Sequence, residues 1–392
     1  MKGINISLPA VIPALLLSVT INSCNRMKVE WTDLVPLPPV PPDTVQPGVA
    51  GPFAGLHGNT LVVAGGANFP DTMPWNGGKK QYHNEIYLLQ FPAAGNDWRL
   101  LAGDEGLDLP VAYGASASVN AGVVCLGGET ENGMTDNSFI ISVAGEKVLK
   151  TPLPPLPVPL SGAAATSVGP MVYIAGGVTP EGPSKGFWRL DTEDIGMGWK
   201  RLSDLPLALI NSVMVAVQGR EPAIWILGGR TREKGDDMSA IRSEIFSYSL
   251  SADSWKAEGR LAVGDKELKL AAGTGAAVNE NQIAIFGGND GSVFNKVEAI
   301  LSEMAAQKDS TRLGKLREEY ILLQEGHPGF SRDVVILETE TRKCFLMGEI
   351  PGPAQVTTTA VTTPWGIVIP SGEVKPGVRT TTVRMAKFRK ER

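Results

Sequence analysis

Short apolar runs that end in a pair of glycines recur along the whole chain. Five of these runs are intact, and in a sixth Ser371-Gly372 replaces the glycine pair. The intact pairs are Gly65-Gly66, Gly127-Gly128, Gly176-Gly177, Gly228-Gly229 and Gly287-Gly288. Their spacing is near the period of about 50 residues that is typical of kelch repeats. The pattern therefore predicts six related β units.

Each apolar run is flanked by further strand-like stretches. A stretch of small residues, such as GASASV, precedes it, and a third apolar strand and an outer strand follow it. Small side chains suit an innermost strand that is crowded around a central channel. The chain is therefore predicted to be all-β, with residues 27–392 forming a six-bladed kelch-type β-propeller.

The sixth unit is incomplete at the C-terminus, where three strands are followed by the end of the chain. The segment VEWTDL at residues 29–34 resembles the Trp-containing outer strand of the other units. We expect it to complete the last blade, because joining the two ends in one sheet removes open strand edges.

The fifth repeat contains an insertion over residues 295–327 with helical periodicity. Val297, Ile300, Leu301 and Met304 follow the spacing of one helix face, and a second apolar stripe follows after a break. Two amphipathic helices are predicted on the face where the second and third strands of each blade are joined. They form either a wall of a pocket at the channel mouth or a helical hairpin that only covers surface.

Composition and charge exclude some classes of function. The formal net charge is −5, and no cluster of Lys and Arg indicates a nucleic-acid partner. The 3 His residues lack the spacing of a metal site, so we expect no metal.

The N-terminus has the pattern of an export signal. Lys2 is followed by an apolar run at residues 8–19 that is too short to span a bilayer, which predicts a signal peptide over residues 1–23. Cys24 lies where a bacterial lipoprotein is lipidated. The expected product is a periplasmic protein, either soluble or anchored to the outer membrane through a lipid on Cys24.

Polar residues follow the glycine runs on the face that also carries the insertion. They are Asn68, Glu129, Arg230, Arg232, Asn289 and Glu373. In the sixth loop, Glu373 and Arg379 lie on either side of Pro376-Gly377, which has turn chemistry. From residue types alone, this is either a salt bridge in a turn or a catalytic pair.

Three stretches of the sequence resemble the N-acetylneuraminate epimerase (sialic acid mutarotase) family of kelch propellers. They are GVAGPFAGLHGNTLVVAGGANF, AYGASASVNAGVVCLGGETENGMTDNS and GEVKPGVRT. In familiar bacterial members the GE-x-KPG-x-R segment leads directly into the GVAG-x-FAG segment, whereas here it lies near the C-terminus. The chain therefore resembles a cyclic permutant, which a closed ring tolerates because its ends meet.

The resemblance implies interconversion of the α and β anomers of N-acetylneuraminate by acid–base ring opening and closure. Glu373 matches the family's catalytic carboxylate and Arg379 its partner, and Arg379 also suits a contact with the substrate carboxylate. Arg230, Asn68, Glu129 and Asn289 are candidate substrate-binding residues from loop position alone. No cofactor and no obligate protein partner are expected.

A binding function is the alternative. Many kelch rings present their loops to a protein or capture a glycan without changing it, and a fold does not determine function. If the protein is an enzyme, we expect an enclosed cavity lined by Arg and Glu. If it is a protein-binding propeller, we expect a broad exposed apolar patch.

Overall fold

The computed structural model describes residues 27–92, 97–232 and 238–390. Six four-stranded antiparallel sheets are arranged around a central channel. This architecture confirms the predicted six-bladed β-propeller. The predicted signal peptide and Cys24 lie outside the described residues.

Blades 1 to 5 each use consecutive stretches of the chain, and their innermost strand comes first. The strands of blade 1 are Phe53–His57, Thr60–Ala64, Ile86–Gln90 and Arg99–Leu101. Those of blade 2 are Ala115–Val119, Gly122–Leu126, Ser138–Ala144 and Lys147–Pro152. Those of blade 3 are Ala164–Val168, Met171–Ala175, Phe187–Asp191 and Lys200–Arg201. Those of blade 4 are Val213–Val217, Ala223–Leu227, Glu244–Ser249 and Ser254–Arg260. Those of blade 5 are Thr274–Asn279, Gln282–Phe286, Asp333–Glu338 and Cys344–Glu349.

Blade 6 is built from both ends of the described chain. Its strands run outward as Val361–Thr363, Gly366–Pro370, Val383–Lys390 and Met27–Asp33. The last two pair antiparallel, from Met27 opposite Lys390 to Asp33 opposite Arg384. The Asp33 carboxylate also accepts a hydrogen bond of 2.7 Å from the largely buried Arg384 guanidinium.

A closed ring of backbone hydrogen bonds surrounds the channel. Just before its innermost strand, each blade has one residue with a positive φ, whose N–H donates to the carbonyl of the equivalent residue in the neighbouring blade. These residues are Gly51, Tyr113, Gly162, Asn211, Ala272 and Thr357. The six N···O distances lie between 2.7 and 2.9 Å. Thr357 bonds to Ala272 and Gly51 bonds to Thr357, so the ring passes through blade 6 without a break.

The glycine pairs are required by the backbone. All five intact pairs have positive φ at both positions. A β-carbon on Gly176 would lie 2.2 Å from the carbonyl oxygen of Leu209, which is shorter than any allowed contact. In the sixth copy, Ser371 keeps the geometry with φ 50°, and its hydroxyl bonds to the backbone of Val49 and Thr380 at 2.7–2.9 Å.

Tryptophan residues near the outer strands link neighbouring blades. The indole N–H of Trp98 donates to the carbonyl of Val35 at 2.8 Å, and that of Trp255 donates to Ser203 at 2.9 Å. Trp199 donates to Pro154 in the same way at 2.9 Å. Between the sheets, side chains from adjacent blades form shared apolar clusters. The blades are thus joined by packing and by hydrogen bonds far from the channel.

Two helices follow the second strand of blade 5: α1 (Phe294–Ala306) and α2 (Ser310–Glu325). The Asp309 side chain caps α2 by accepting hydrogen bonds from the N–H groups of Thr311 and Arg312. Arg312 then pairs with Glu303 of α1 at 2.7 Å. Val297, Ile300 and Leu316 are buried, whereas Leu301 is exposed.

Short two-stranded hairpins project from the same end of blades 1, 2, 3, 4 and 6. They pair Ala67–Asn68 with Gln81–Tyr82, Glu129–Thr130 with Gly133–Met134, Val178–Thr179 with Gly182–Pro183, Arg230–Thr231 with Ala240–Ile241, and Glu373–Lys375 with Val378–Arg379. A further hairpin pairs Ala262–Val263 with Lys266–Glu267, and 3-10 turns occur at Pro74–Asn76, Gly103–Glu105 and Ile195–Met197. Among the described residues, no helix has the length and apolar character that a membrane span requires.

Removing strand Met27–Asp33 is expected to open the ring. The deletion eliminates a strand ladder and exposes the apolar surface that it covers, so the free energy of unfolding should fall by about 4–5 kcal/mol or more. Chemical denaturation of the chain that starts at residue 34 measures the loss. The matched control starts at residue 27. Equal stability of the two proteins would show that blade 6 does not depend on this strand.

Candidate functional site

The ring of hydrogen bonds brings six equivalent positions to the channel mouth. The residue that precedes each ring residue pairs with the first residue after the glycine pair of the same unit. The six paired residues after the glycines are Ala67, Glu129, Val178, Arg230, Asn289 and Glu373. Their backbone positions are therefore related by the propeller, and their different side chains make the mouth asymmetric.

Glu373 and Arg379 lie directly opposite each other in the blade 6 hairpin. The turn between them contains Gly377, whose φ of 74° suits glycine. The Glu373 Oε1 atom accepts a hydrogen bond from Arg379 Nη1 at 2.8 Å and another from the Gly377 N–H at 2.9 Å. The hairpin thus holds one oxygen of this carboxylate in place, while its side chain remains partly accessible.

Arg379 is held on every side. Its Nε donates to the carbonyl of Ala67 at 3.3 Å, and its Nη2 donates to the Tyr113 hydroxyl at 3.4 Å. The guanidinium carbon lies 5.1 Å from the centre of the Phe69 ring. Only 4% of the Arg379 side chain is exposed. These contacts connect the blade 6 hairpin to blades 1 and 2.

Glu129 belongs to a second polar cluster in the neighbouring blades. It accepts hydrogen bonds from Ser161 Oγ at 2.9 Å and from Tyr82 Oη at 3.3 Å, and Lys80 Nζ lies 3.5 Å away. The Lys80 ammonium also lies 4.6 Å from the centre of the Tyr113 ring. Tyr113 therefore contacts both the Arg379 group and the Glu129 group.

The charges of the second cluster follow from its surroundings. Burial acts to lower the pKa of Lys80, but Tyr113, Glu129 and Tyr82 outweigh it and the pKa is raised. Burial raises the pKa of Tyr82, although Lys80 opposes the change. At neutral pH, Lys80 is cationic and Tyr82 keeps its proton.

The side chains of Asn68 and Asn289 form hydrogen bonds with the backbone around them. Asn68 is only 2% exposed, and its amide donates to the carbonyl of Gly48 at 3.0 Å. Asn289 Oδ1 accepts a hydrogen bond of 2.8 Å from the N–H of Gly291, where the insertion begins. Both residues follow a glycine pair as predicted, but these bonds stabilise the loops that surround the mouth.

Arg230 lies beneath the insertion. Its Nη1 donates to Ser239 Oγ at 3.2 Å, and its guanidinium lies 5.8 Å from the centre of the Phe294 ring of α1. Burial lowers the pKa of Arg230, while the Glu298 carboxylate opposes that effect. The structure thus brings Arg230 together with the insertion, whereas Glu373 and Arg379 lie in the hairpin two blades away.

The insertion is bonded to the blade 4 hairpin, and its end passes close to the blade 6 hairpin. Glu298 of α1 accepts hydrogen bonds from the Ser239 N–H and hydroxyl at 2.7 and 2.9 Å. At the other end, a β-carbon on Gly329 would lie 3.5 Å from the carbonyl oxygen of Val374, next to Glu373. Burial and the nearby Lys375 lower the pKa of His327. The insertion therefore lies on the face that carries Glu373.

Sequence reasoning missed Tyr113, Lys80, Tyr82 and Phe69. Tyr113 occupies a ring position where the other blades have Gly, Asn, Ala or Thr, so a large aromatic at this place in the repeat was a detectable signal. Lys80 and Tyr82 had no comparable signal. They lie in the long loop between the second and third strands of blade 1, and repeat spacing does not indicate that this loop returns toward the channel. Among the described residues, no group of three His, Cys, Asp or Glu side chains is positioned to hold a metal.

Comparisons with known proteins agree on one family. A family model described as N-acetylneuraminate epimerase matches residues 17–149 and 153–392. Proteins named N-acetylneuraminate epimerase from Haemophilus influenzae and Salmonella typhimurium are 24% identical over 236 and 240 residues. The alignments cover 60% and 61% of this chain.

A protein of the same name from Brucella melitensis is 26% identical over 240 residues, or 60% of this chain. The matched region spans 59% of the length of each of these three relatives. Cyclic permutation relative to the family stays a prediction.

Replacing Glu298 with Ala is expected to loosen α1 from blade 4. Two hydrogen bonds to a mostly buried carboxylate are lost, so amide protection over residues 294–306 should fall about 10- to 100-fold. Hydrogen–deuterium exchange measures this change. Lys296→Ala, on the exposed side of the same helix, is the control, and equal protection in both variants would contradict the role of Glu298.

Proposed function

The chain belongs to the N-acetylneuraminate epimerase family, and we propose that it interconverts the α and β anomers of N-acetylneuraminate. The observation that carries this proposal is the Glu373–Arg379 pair at the channel mouth. It combines a carboxylate held through one oxygen with a guanidinium that donates a hydrogen bond to that oxygen. The matched relatives are named for this activity, although the chain spans about three-fifths of their length.

The reaction needs one proton removed and one supplied. A base takes the proton of the anomeric hydroxyl, the electrons of that O–H bond form the carbonyl, and the bond from the anomeric carbon to the ring oxygen breaks. The ring oxygen takes up a proton. The single bond next to the new carbonyl then rotates, so that the hydroxyl attacks the opposite face of the carbonyl. The reverse proton transfers close the sugar ring as the other anomer.

Glu373 is the proposed base. Within the described chain, both hydrogen bonds that the Glu373 carboxylate accepts use Oε1, which leaves Oε2 to accept the hydroxyl proton. Arg379 keeps the carboxylate oriented for this transfer. Proton transfer of this kind typically accelerates a reaction about 10²- to 10⁴-fold.

Tyr113 is the proposed donor to the ring oxygen. Its hydroxyl accepts a hydrogen bond from Arg379 Nη2, so its own hydrogen is directed to another acceptor. Glu373 and Tyr113 both contact the same guanidinium. The base in blade 6 and the donor in blade 2 are thus joined through Arg379, which also bonds to Ala67 of the intervening blade 1.

Replacing Glu373 with Gln is expected to slow catalysed anomer exchange about 10²- to 10⁴-fold. The Gln carbonyl oxygen still accepts the bonds from Arg379 and Gly377, but the amide takes no proton at neutral pH, so substrate affinity should be largely kept. Exchange NMR of the two anomers and calorimetry measure the two effects. Glu181→Gln, in the equivalent hairpin of blade 3, is the control.

The same two measurements also distinguish an enzyme from a propeller that only binds a glycan. Parent-like exchange in Glu373→Gln would remove Glu373 from the mechanism and make Glu129 the next candidate base. Binding of N-acetylneuraminate by the parent protein without any faster exchange would favour a propeller that only captures the sugar.

Export is part of the proposed function, because it places the enzyme where sialic acid arrives from outside the cell. The support is the short apolar run at residues 8–19 followed by Cys24. A lipid on Cys24 would anchor the propeller to the outer membrane, and cleavage without lipidation would release it into the periplasm.

Growth with labelled palmitate in a bacterial host tests the anchor. The parent protein should incorporate label, Cys24→Ala should not, and Cys344→Ala should behave like the parent because Cys344 lies within blade 5. Cleavage without label would favour the soluble periplasmic form. An uncleaved, unlabelled protein in the cytoplasm would contradict export.

A further inference from the structure

Arg379 already has a partner at each of its three nitrogens. Glu373, the Ala67 carbonyl and the Tyr113 hydroxyl occupy them, and the guanidinium also lies near the Phe69 ring. With 4% of its side chain exposed, it offers no open edge to which a substrate carboxylate could bind through two hydrogen bonds. The cation that recognises an acidic sugar has to be another residue.

Lys80 has the properties that such a cation requires. It lies in the loop between the second and third strands of blade 1, which is the blade next to blade 6. About one third of its side chain, 33%, is exposed. Its ammonium is 3.5 Å from Glu129 and lies 4.6 and 5.4 Å from the ring centres of Tyr113 and Tyr82. The ammonium thus lies beside two aromatic rings, and its contact to Glu129 is long for a charge-assisted hydrogen bond.

Two other cations near the mouth, Arg230 and Arg232, are less suitable. Arg230 is mostly enclosed by Ser239 and Phe294 and lies two blades from Glu373. The Arg232 guanidinium lies 4.0 Å from the Glu298 carboxylate. Lys80 instead lies over the ring of Tyr113, whose hydroxyl accepts a hydrogen bond from Arg379, the residue that holds Glu373.

We propose that Lys80 binds the carboxylate of the substrate and that Arg379 is a positioning residue for Glu373. This inference rests on the proposed function. A carboxylate on Lys80 fixes one end of the sugar beside Tyr113, and the anomeric carbon, which carries that carboxylate, then lies between Lys80 and Glu373. The ammonium therefore selects acidic sugars through a single ionic contact.

Replacing Lys80 with Met tests the assignment, because Met keeps an unbranched apolar side chain at this position and removes the charge. The KM and the Kd for N-acetylneuraminate should rise about 10- to 100-fold with kcat largely unchanged. The preference of the protein for N-acetylneuraminate over its methyl ester should disappear. Lys80→Arg should retain part of that preference, because it restores the charge.

Two further variants separate recognition from positioning. Lys79→Met removes the same charge from the adjacent exposed residue and should behave like the parent. Arg379→Ala should lower kcat and keep the preference for the acid over the ester, because it releases Glu373 but leaves Lys80 in place. Loss of the preference in Arg379→Ala together with its retention in Lys80→Met would overturn the proposal.

The proposed function and this inference fail in different ways. If the parent protein does not accelerate anomer exchange, the proposed activity is wrong, and calorimetry with the acid and its methyl ester still decides the role of Lys80. Parent-like affinity for N-acetylneuraminate in Lys80→Met would overturn the inference even in an active enzyme. A parent protein that binds neither sugar would overturn both.

Discussion

The closed ring of six backbone hydrogen bonds around the channel is the constraint on which the rest of the structure depends. Every blade contributes one donor and one acceptor to it, and the bond from the Gly51 N–H to the Thr357 carbonyl closes it between blades 1 and 6. Four of its members, Tyr113, Asn211, Ala272 and Thr357, have positive φ without being glycine. Such a conformation costs about 1–3 kcal/mol per residue and persists only where the surroundings determine it. Closure of the ring therefore maintains the strained backbone at these four positions.

The same ring determines where chemistry can occur. Each ring residue follows a residue that pairs with the first position after the glycine run, so six side chains are delivered to one mouth. Apolar residues occupy two of these positions, Ala67 and Val178, and polar residues occupy the other four. The propeller supplies symmetry of the backbone, while function comes from the departures from it, above all the Glu373–Arg379 hairpin and the aromatic ring residue Tyr113.

The insertion and the polar clusters divide the mouth into two sides. On one side, Glu298 attaches α1 to the blade 4 hairpin beside Arg230. On the other, Tyr113 contacts both the Arg379 group and Lys80. The end of the insertion at Gly329 lies near Val374, so the helical segment borders the catalytic hairpin that we propose. The insertion and the carboxylate that we propose as the base thus belong to neighbouring blades.

Repeat spacing and residue type by themselves determined the six blades, the all-β class and the pairing of Glu373 with Arg379, because each depends on short-range patterns such as a glycine pair or a turn at Pro376-Gly377. Loop position alone did not distinguish Asn68 and Asn289, whose side chains support the backbone, from groups that face the mouth. Only the tertiary structure decided that Arg379 is enclosed and that Lys80 lies beside Tyr113, because these contacts join blades 6, 1 and 2 across up to 312 positions of sequence. Local propensity carries no information about contacts at that separation, which packing and ring closure create.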